Sequence, residues 1–295
     1  MKWDDNGPSK DLEDGRGESS GGGGGFRIGG GRLGIGGFLV LLVLSVVFKT
    51  DLTGALGGGG GVPLPAPDRA PAQGGSAAPV QTSAAEEELV RFMSFVLDDA
   101  QNNWERVFAD GNAQYTRARL KLFRDQVNTG CGVAQSAAGP FYCPADQKVY
   151  IDLGFYEELR RRFGAPGDFA QAYVLAHEIG HHVQNLLGTE RQMRRLQDQN
   201  PDARNELSVR LELQADCYAG IWGRHAQQAG RLDGGDVDEA LKAASAVGDD
   251  RISQMTGNSI RPESFTHGSA AQRMTWFRRG FDSGRLDACD TFKAR

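Results

Sequence analysis

The heptapeptide Ala176-His177-Glu178-Ile179-Gly180-His181-His182 decides how the chain is read. On a helix, residues four apart leave from the same face, so His177 and His181 present two imidazoles side by side. Two neutral nitrogens at that spacing suit one zinc ion, each at about 2.0–2.1 Å. Glu178 lies one step round the helix, where its carboxylate can take a proton from a water beside the metal without ligating it. Three of the five histidines in the 295 residues fall within this stretch. The spacing His-Glu-x-x-His therefore predicts zinc ligands at His177 and His181 and a general base at Glu178. The helix that carries them is expected to start at Gly167-Asp168, with Asp168 as N-cap, and to stop at Gly188 after Leu187.

A catalytic zinc needs a third protein ligand and an open fourth position. The next long helix, expected from Asp202 to about Gln228, carries Glu212-Leu213-Gln214-Ala215-Asp216. Glu212 and Asp216 share a face as the two histidines do. Glu212 is read as the third ligand, and Asp216 as the acceptor that fixes the tautomer of one liganding histidine. The spacing alone also admits the exchange of these two roles. Cys217 is set aside as a ligand, because that would leave Cys289 without a partner. Further on, Thr266-His267-Gly268-Ser269 leads into a helix through Arg273. His267 is assigned to the oxyanion of the tetrahedral intermediate, with Arg273 as its substitute. His225 reads as a helix-surface residue. His182, about 100° round the helix from His181, reads as a supporting or solvated group.

Outside this centre the chain divides by composition. Residues 1–32 are polar and glycine-rich and are expected to be disordered and cytoplasmic. Leu33 to Phe48 is a run of 16 residues without a charge, and with Arg32 and Lys49 snorkelling at its ends it predicts a transmembrane anchor over 33–49. Arg16, Arg27 and Arg32 precede it, which places the amino terminus inside and the rest of the chain outside. A Gly/Pro/Ala-rich linker follows over 50–85, and the folded domain spans 86–295. Within that domain a helix runs from Glu86 to about Ala109 on the apolar positions Phe92, Met93, Val96, Leu97 and Trp104. Tyr115–Val127 and Val149–Leu153 read as strands, and the second could offer its edge to an extended peptide. The four cysteines are expected to form two disulfides, Cys131–Cys143 and Cys217–Cys289, in an oxidising compartment. A net charge of −5 and a pI near 5.6 argue against a nucleic-acid partner.

The motifs His177-Glu178-x-x-His181 and Glu212-x-x-x-Asp216 resemble the gluzincin class of metallopeptidases. More closely, the chain resembles the bacterial putative neutral zinc metallopeptidase (YpfJ-like) family. The matching pieces include Gly139-Pro140-Phe141-Tyr142-Cys143-Pro144, Ala215-Asp216-Cys217-Tyr218-Ala219-Gly220-x-Trp222 and Phe265-Thr266-His267-Gly268-Ser269. The resemblance implies a membrane-anchored, zinc-dependent peptidase-like domain. The expected fold class is α+β and mainly helical, a zincin-like domain with a small sheet beside the zinc helix. The expected function is hydrolysis of peptide bonds in a protein or peptide substrate, with one zinc ion per chain, on the outer side of the bacterial inner membrane. A non-catalytic, zinc-stabilised binding module and a zinc amidohydrolase acting on cell-wall amides are the alternatives.

Overall fold

The computed structural model describes residues 1–18, 82–136, 139–164, 167–257 and 259–293. The expected anchor at 33–49 and nearly all of the linker lie outside the described residues. Among the described residues, no helix is long and apolar enough to cross a membrane.

Helix α1 (Ala84–Asp110) starts where the Ser83 hydroxyl accepts the Glu86 N–H, and Glu86 and Glu87 place negative charge at its positive end. Its apolar stripe, Met93, Val96, Leu97, Ala100 and Trp104, is fully buried, as helical spacing predicts. Four strands form the main sheet in the order β1 (Leu12–Asp14), β2 (Arg119–Phe123), β6 (Lys148–Asp152), β5 (Phe141–Cys143). β1, β2 and β6 run parallel, and β5 is antiparallel to β6. A separate hairpin pairs β3 (Gln126–Thr129) with β4 (Gly132–Gln135). The single strand expected over Tyr115–Val127 is broken at Asp125, whose φ of 59° turns the chain out of the first sheet and into the second. β6 is flanked on both sides, so the edges of this sheet are β1 and β5 and not the strand expected to offer one.

The first 18 residues, expected to be a disordered tail, are part of the folded body. β1 pairs with β2 in the register Leu12↔Leu120. Trp3 packs on Phe92 and Phe95 of α1, with ring centroids 5.6 and 6.4 Å away. The Arg16 guanidinium is buried among the carboxylates of Asp14, Glu86 and Glu87. The Met1 amino group sits 2.7 Å from Asp168 and 3.3 Å from Asp236. Local composition conceals this, because Met1, Asp11, Glu13 and Arg16 find partners far away in sequence. Asp168, expected as an N-cap, is taken by Met1, and Gly167 caps the zinc-motif helix with its backbone alone.

The helices after the sheet are α2 (Gly154–Phe163), α3 (Asp168–Leu187), α4 (Thr189–Gln199), α5 (Arg204–Gln228), α6 (Asp236–Ala246), α7 (Asp249–Thr256) and α8 (Ala270–Ser283). A 3-10 turn at Pro201–Ala203 occupies the expected start of α5. α6 and α7 have no counterpart among the expected elements. α8 opens on a capping box formed by Ser269 and Gln272. Both expected disulfides are present: Cys131–Cys143 ties the β3–β4 turn to β5, and Cys217–Cys289 ties α5 to a 3-10 turn at Leu286–Cys289.

Two glycines set how closely the helices of the site approach. A Cβ on Gly180 of α3 would lie 3.0 Å from the Ala215 carbonyl oxygen on α5, and one on Gly280 of α8 would lie 1.8 Å from the Cys217 carbonyl oxygen. The second contact is with backbone and cannot yield without moving a helix. Gly280→Ala is therefore expected to cost about 3 kcal/mol or more, the upper end of overpacking effects, because α8 must back away from α5. A urea midpoint unchanged from the parent would contradict that close crossing.

Candidate metal centre

α3 and α5 face each other across the motif. His177 Nε2 lies 3.3 Å from Glu212 Oε2, and His181 Nε2 lies 3.5 Å from Glu212 Oε1. The two imidazoles stand perpendicular, at 89°, with centroids 4.8 Å apart. Ligand atoms about 2.0–2.1 Å from a tetrahedral ion are roughly 3.3–3.4 Å from one another. Each histidine nitrogen is near that distance from a different oxygen of the one carboxylate, and a ligand atom from each of the three residues lies within 4.8 Å of the others, close enough to be shared by one ion. Their donor set, His₂Glu, is the kind that leaves a fourth position for water.

The far nitrogens of both rings are engaged, which leaves each Nε2 as the free donor. His177 Nδ1 is 2.9 Å from Asp216 Oδ1. Asp216 is fully buried and accepts from Tyr173 Oη at 2.5 Å, Arg273 Nε at 2.8 Å and Arg273 Nη2 at 2.9 Å. The structure thus places Glu212 toward the open face of the histidines and Asp216 behind them. Arg273, the candidate substitute for the oxyanion role, is bound to Asp216 at the back of the centre, where that carboxylate holds its guanidinium.

His181 Nδ1 is 2.9 Å from Gln184 Oε1. Gln184 in turn donates to the Leu211 carbonyl at 2.6 Å and to Gln214 Oε1 at 3.1 Å. Gln214 donates to the Cys289 carbonyl at 3.0 Å.

These anions stabilise positive charge at the centre. Burial alone would lower the His177 pKa, but the charge and hydrogen bond of Asp216, with Glu212, push it up to about 10. Burial works against the Asp216 carboxylate, yet Arg273 and His177 bring it down to about 2. Glu212 is likewise held below the usual carboxylate range, because the histidines outweigh its burial. Arg273→Met would leave Asp216 buried with one cation fewer. The expected cost is about 3–5 kcal/mol, the range for breaking a buried pair on one side. Chemical denaturation reads it, and a loss below 1 kcal/mol would show that Asp216 does not depend on the arginine.

Glu178 is buried, and no side chain of the described residues hydrogen-bonds its carboxylate. Burial raises its pKa against the lowering effect of both histidines. A buried carboxylate without a fixed partner, one step from two metal donors, is free to exchange a proton. His267 is partly exposed, and its Nδ1 is 3.1 Å from Asp249 Oδ1. The other Asp249 oxygen accepts the backbone N–H groups of Thr266, His267 and Gly268 at 2.7, 2.7 and 3.1 Å. Asp249 thereby fixes the turn into α8 and leaves His267 Nε2 as the free nitrogen. Burial would lower the His267 pKa, but Asp249 and the charge of Glu212 raise it.

His182 is neither solvated nor near the ligand nitrogens. Its ring is fully buried, with Nε2 2.6 Å from the Thr116 carbonyl and Nδ1 3.0 Å from Tyr142 Oη. Tyr142 lies on β5, so this contact seats that edge strand against α3. His225 is remote from the centre and meets Arg106. Sequence reasoning missed Tyr173, Gln184, Gln214 and Asp249. Tyr173 stands four before His177, on the same helical face, and could have been found by extending the motif one turn back. Asp249 has no local signal, since it reaches His267 from another helix.

The family model described as "Putative neutral zinc metallopeptidase" matches residues 1–292. "Uncharacterized protein YpfJ" of Escherichia coli K12 is 45% identical over 298 aligned positions, covering 99% of each chain. "Uncharacterized protein Rv2575" of Mycobacterium tuberculosis H37Rv is 47% identical over 210 positions, covering 64% of this chain and 70% of that one. No solved structure matches.

Proposed function

The chain belongs to the putative neutral zinc metallopeptidase family, and on that premise we propose that it is a zinc-dependent peptidase. His177, His181 and Glu212 would hold the ion. The observation that carries this reading is the placement of both Glu212 oxygens, 3.3 and 3.5 Å from the two free Nε2 atoms. Zinc, when bound, supplies a Lewis acid that polarises a carbonyl and lowers the pKa of a water. Glu178 takes the proton of the attacking water and passes it to the leaving amine. His267, steadied by Asp249, donates from Nε2 to the oxyanion. Asp216 keeps the His177 tautomer, and Arg273 and Tyr173 keep Asp216 in place.

A protein or peptide substrate is supported by the β5 edge, which pairs with no further strand among the described residues and rests on α3 through Tyr142. The two disulfides support an extracytoplasmic site, and the apolar run over 33–49 supports attachment of the chain to the inner membrane. The test is zinc content and cleavage of unstructured peptides by the full chain with its disulfides intact. One zinc per chain, cleavage lost to a chelator and restored by zinc are expected. A well-folded chain that takes up no zinc would end this reading.

A further inference from the structure

The two histidines are held in different ways. His177 is backed by the carboxylate of Asp216, which comes directly from α5. His181 is backed by a neutral amide on its own helix, and that amide reaches α5 and then the end of the chain through three more hydrogen bonds. The sequence of contacts is His181 Nδ1 to Gln184, Gln184 to the Leu211 carbonyl and to Gln214, and Gln214 to the Cys289 carbonyl. Gln184 and Gln214 are buried, so their amides have no water to turn to. Cys289 is fixed in turn by its disulfide to Cys217, the residue after Asp216.

The geometry points to Gln184 and Gln214 as positioning residues that make the zinc affinity of His181 depend on the Cys217–Cys289 disulfide. A histidine Nδ1–H donating to Gln184 Oε1 fixes the ring with Nε2 toward Glu212. Gln184 can offer that oxygen only while both hydrogens of its amide are satisfied, one by Leu211 and one by Gln214. Gln214 keeps its oxygen toward Gln184 only while its own amide donates to Cys289. The disulfide holds that last carbonyl in place. Leu211 also precedes Glu212, so the same Gln184 amide sets the spacing between the second histidine and the carboxylate. This inference rests on the zinc reading above.

The experiment uses the full chain and measures zinc affinity by competition with a chromogenic chelator, together with the visible spectrum of the cobalt-loaded protein. Zinc uptake by the parent tests the site itself, and the variants test the relay. Gln184→Met and Gln214→Met are each expected to weaken zinc binding by about 10- to 100-fold and to alter the cobalt spectrum. The pair Cys217→Ser with Cys289→Ser is expected to weaken it similarly in the parent, yet to add little in the Gln214→Met background. Gln197→Met serves as the matched control. Gln197 is a buried glutamine bonded to the Arg204 carbonyl and to Ser208, away from the centre. That variant is expected to unfold more easily and to bind zinc as the parent does. Unchanged zinc affinity in Gln184→Met would overturn the proposal. So would losses from Gln214 and the cysteine pair that multiply in full, or an equal zinc loss in Gln197→Met, since each marks a general loosening of the fold.

Discussion

Glu178→Gln is expected to bind zinc as the parent does and to hydrolyse peptides about 10²- to 10⁴-fold more slowly in kcat, the usual weight of a positioned general base. The substitution is nearly isosteric and removes only the ability to accept a proton. Glu178 bonds to no side chain among the described residues, so a glutamine there breaks no contact. The contacts among His177, His181 and Glu212 do not run through the Glu178 carboxylate, so zinc content is expected to stay at the parent level. Relief of a buried carboxylate that burial already pushes toward neutrality adds a small stabilising effect. The decisive readings are zinc stoichiometry, thermal midpoint and kcat on one preparation. Full turnover with full zinc would remove Glu178 from the mechanism and place the base elsewhere. Lost zinc would instead make Glu178 part of the ligand frame.

A chain that starts at residue 82 is expected to be barely folded, even though it contains every residue of the proposed site. Without residues 1–18 the β2 edge opens over Leu120 and Leu122, and α1 loses the ring of Trp3 from Phe92 and Phe95. Full burial of such side chains is worth about 1.5–3 kcal/mol each. Half-exposing four of them costs about 3–6 kcal/mol, against a whole stability of about 5–15 kcal/mol. Glu86 and Glu87 also lose Arg16. Urea denaturation reads the loss, and a peptide of residues 1–18 added in trans should recover part of it. A fragment as stable as the parent would show that the segment merely lies on the surface.

The same contact has a pH dependence. Burial would raise the Glu13 pKa, but Lys148 and Arg119 hold it low, and Arg16 holds Asp14 low. Carboxylates with depressed values contribute stability above their unfolded pKa near 4 and lose it as pH falls through the folded value. Hydrogen exchange at β1 is therefore expected to accelerate first as the pH drops below about 4.

The centre was legible because its chemistry lies on two helices with a fixed period. His177, Glu178, His181, Glu212 and Asp216 are named by spacing alone, and so is the face each shares. Spacing could not say which of Glu212 and Asp216 faces the histidines, since both lie on one stripe of α5. That depends on Arg273 arriving from α8 to claim Asp216. Cysteine parity and loop length suggested the disulfides. The amino-terminal strand was illegible for a different reason. Leu12-Glu13-Asp14 has no apolar alternation of its own, and what makes it a strand is the waiting edge of β2, more than a hundred residues on. Composition describes whether a segment can build a core, not whether it can join one.

β1 and β2 are hydrogen-bonded neighbours, and a ladder cannot form through a lipid bilayer. Residues 18 and 82 must therefore face the same water. Arg16, which tilts the charge count toward a cytoplasmic amino terminus, is already neutralised by three carboxylates. Amino-terminal and carboxy-terminal tags are then expected to be reached by the same impermeant label.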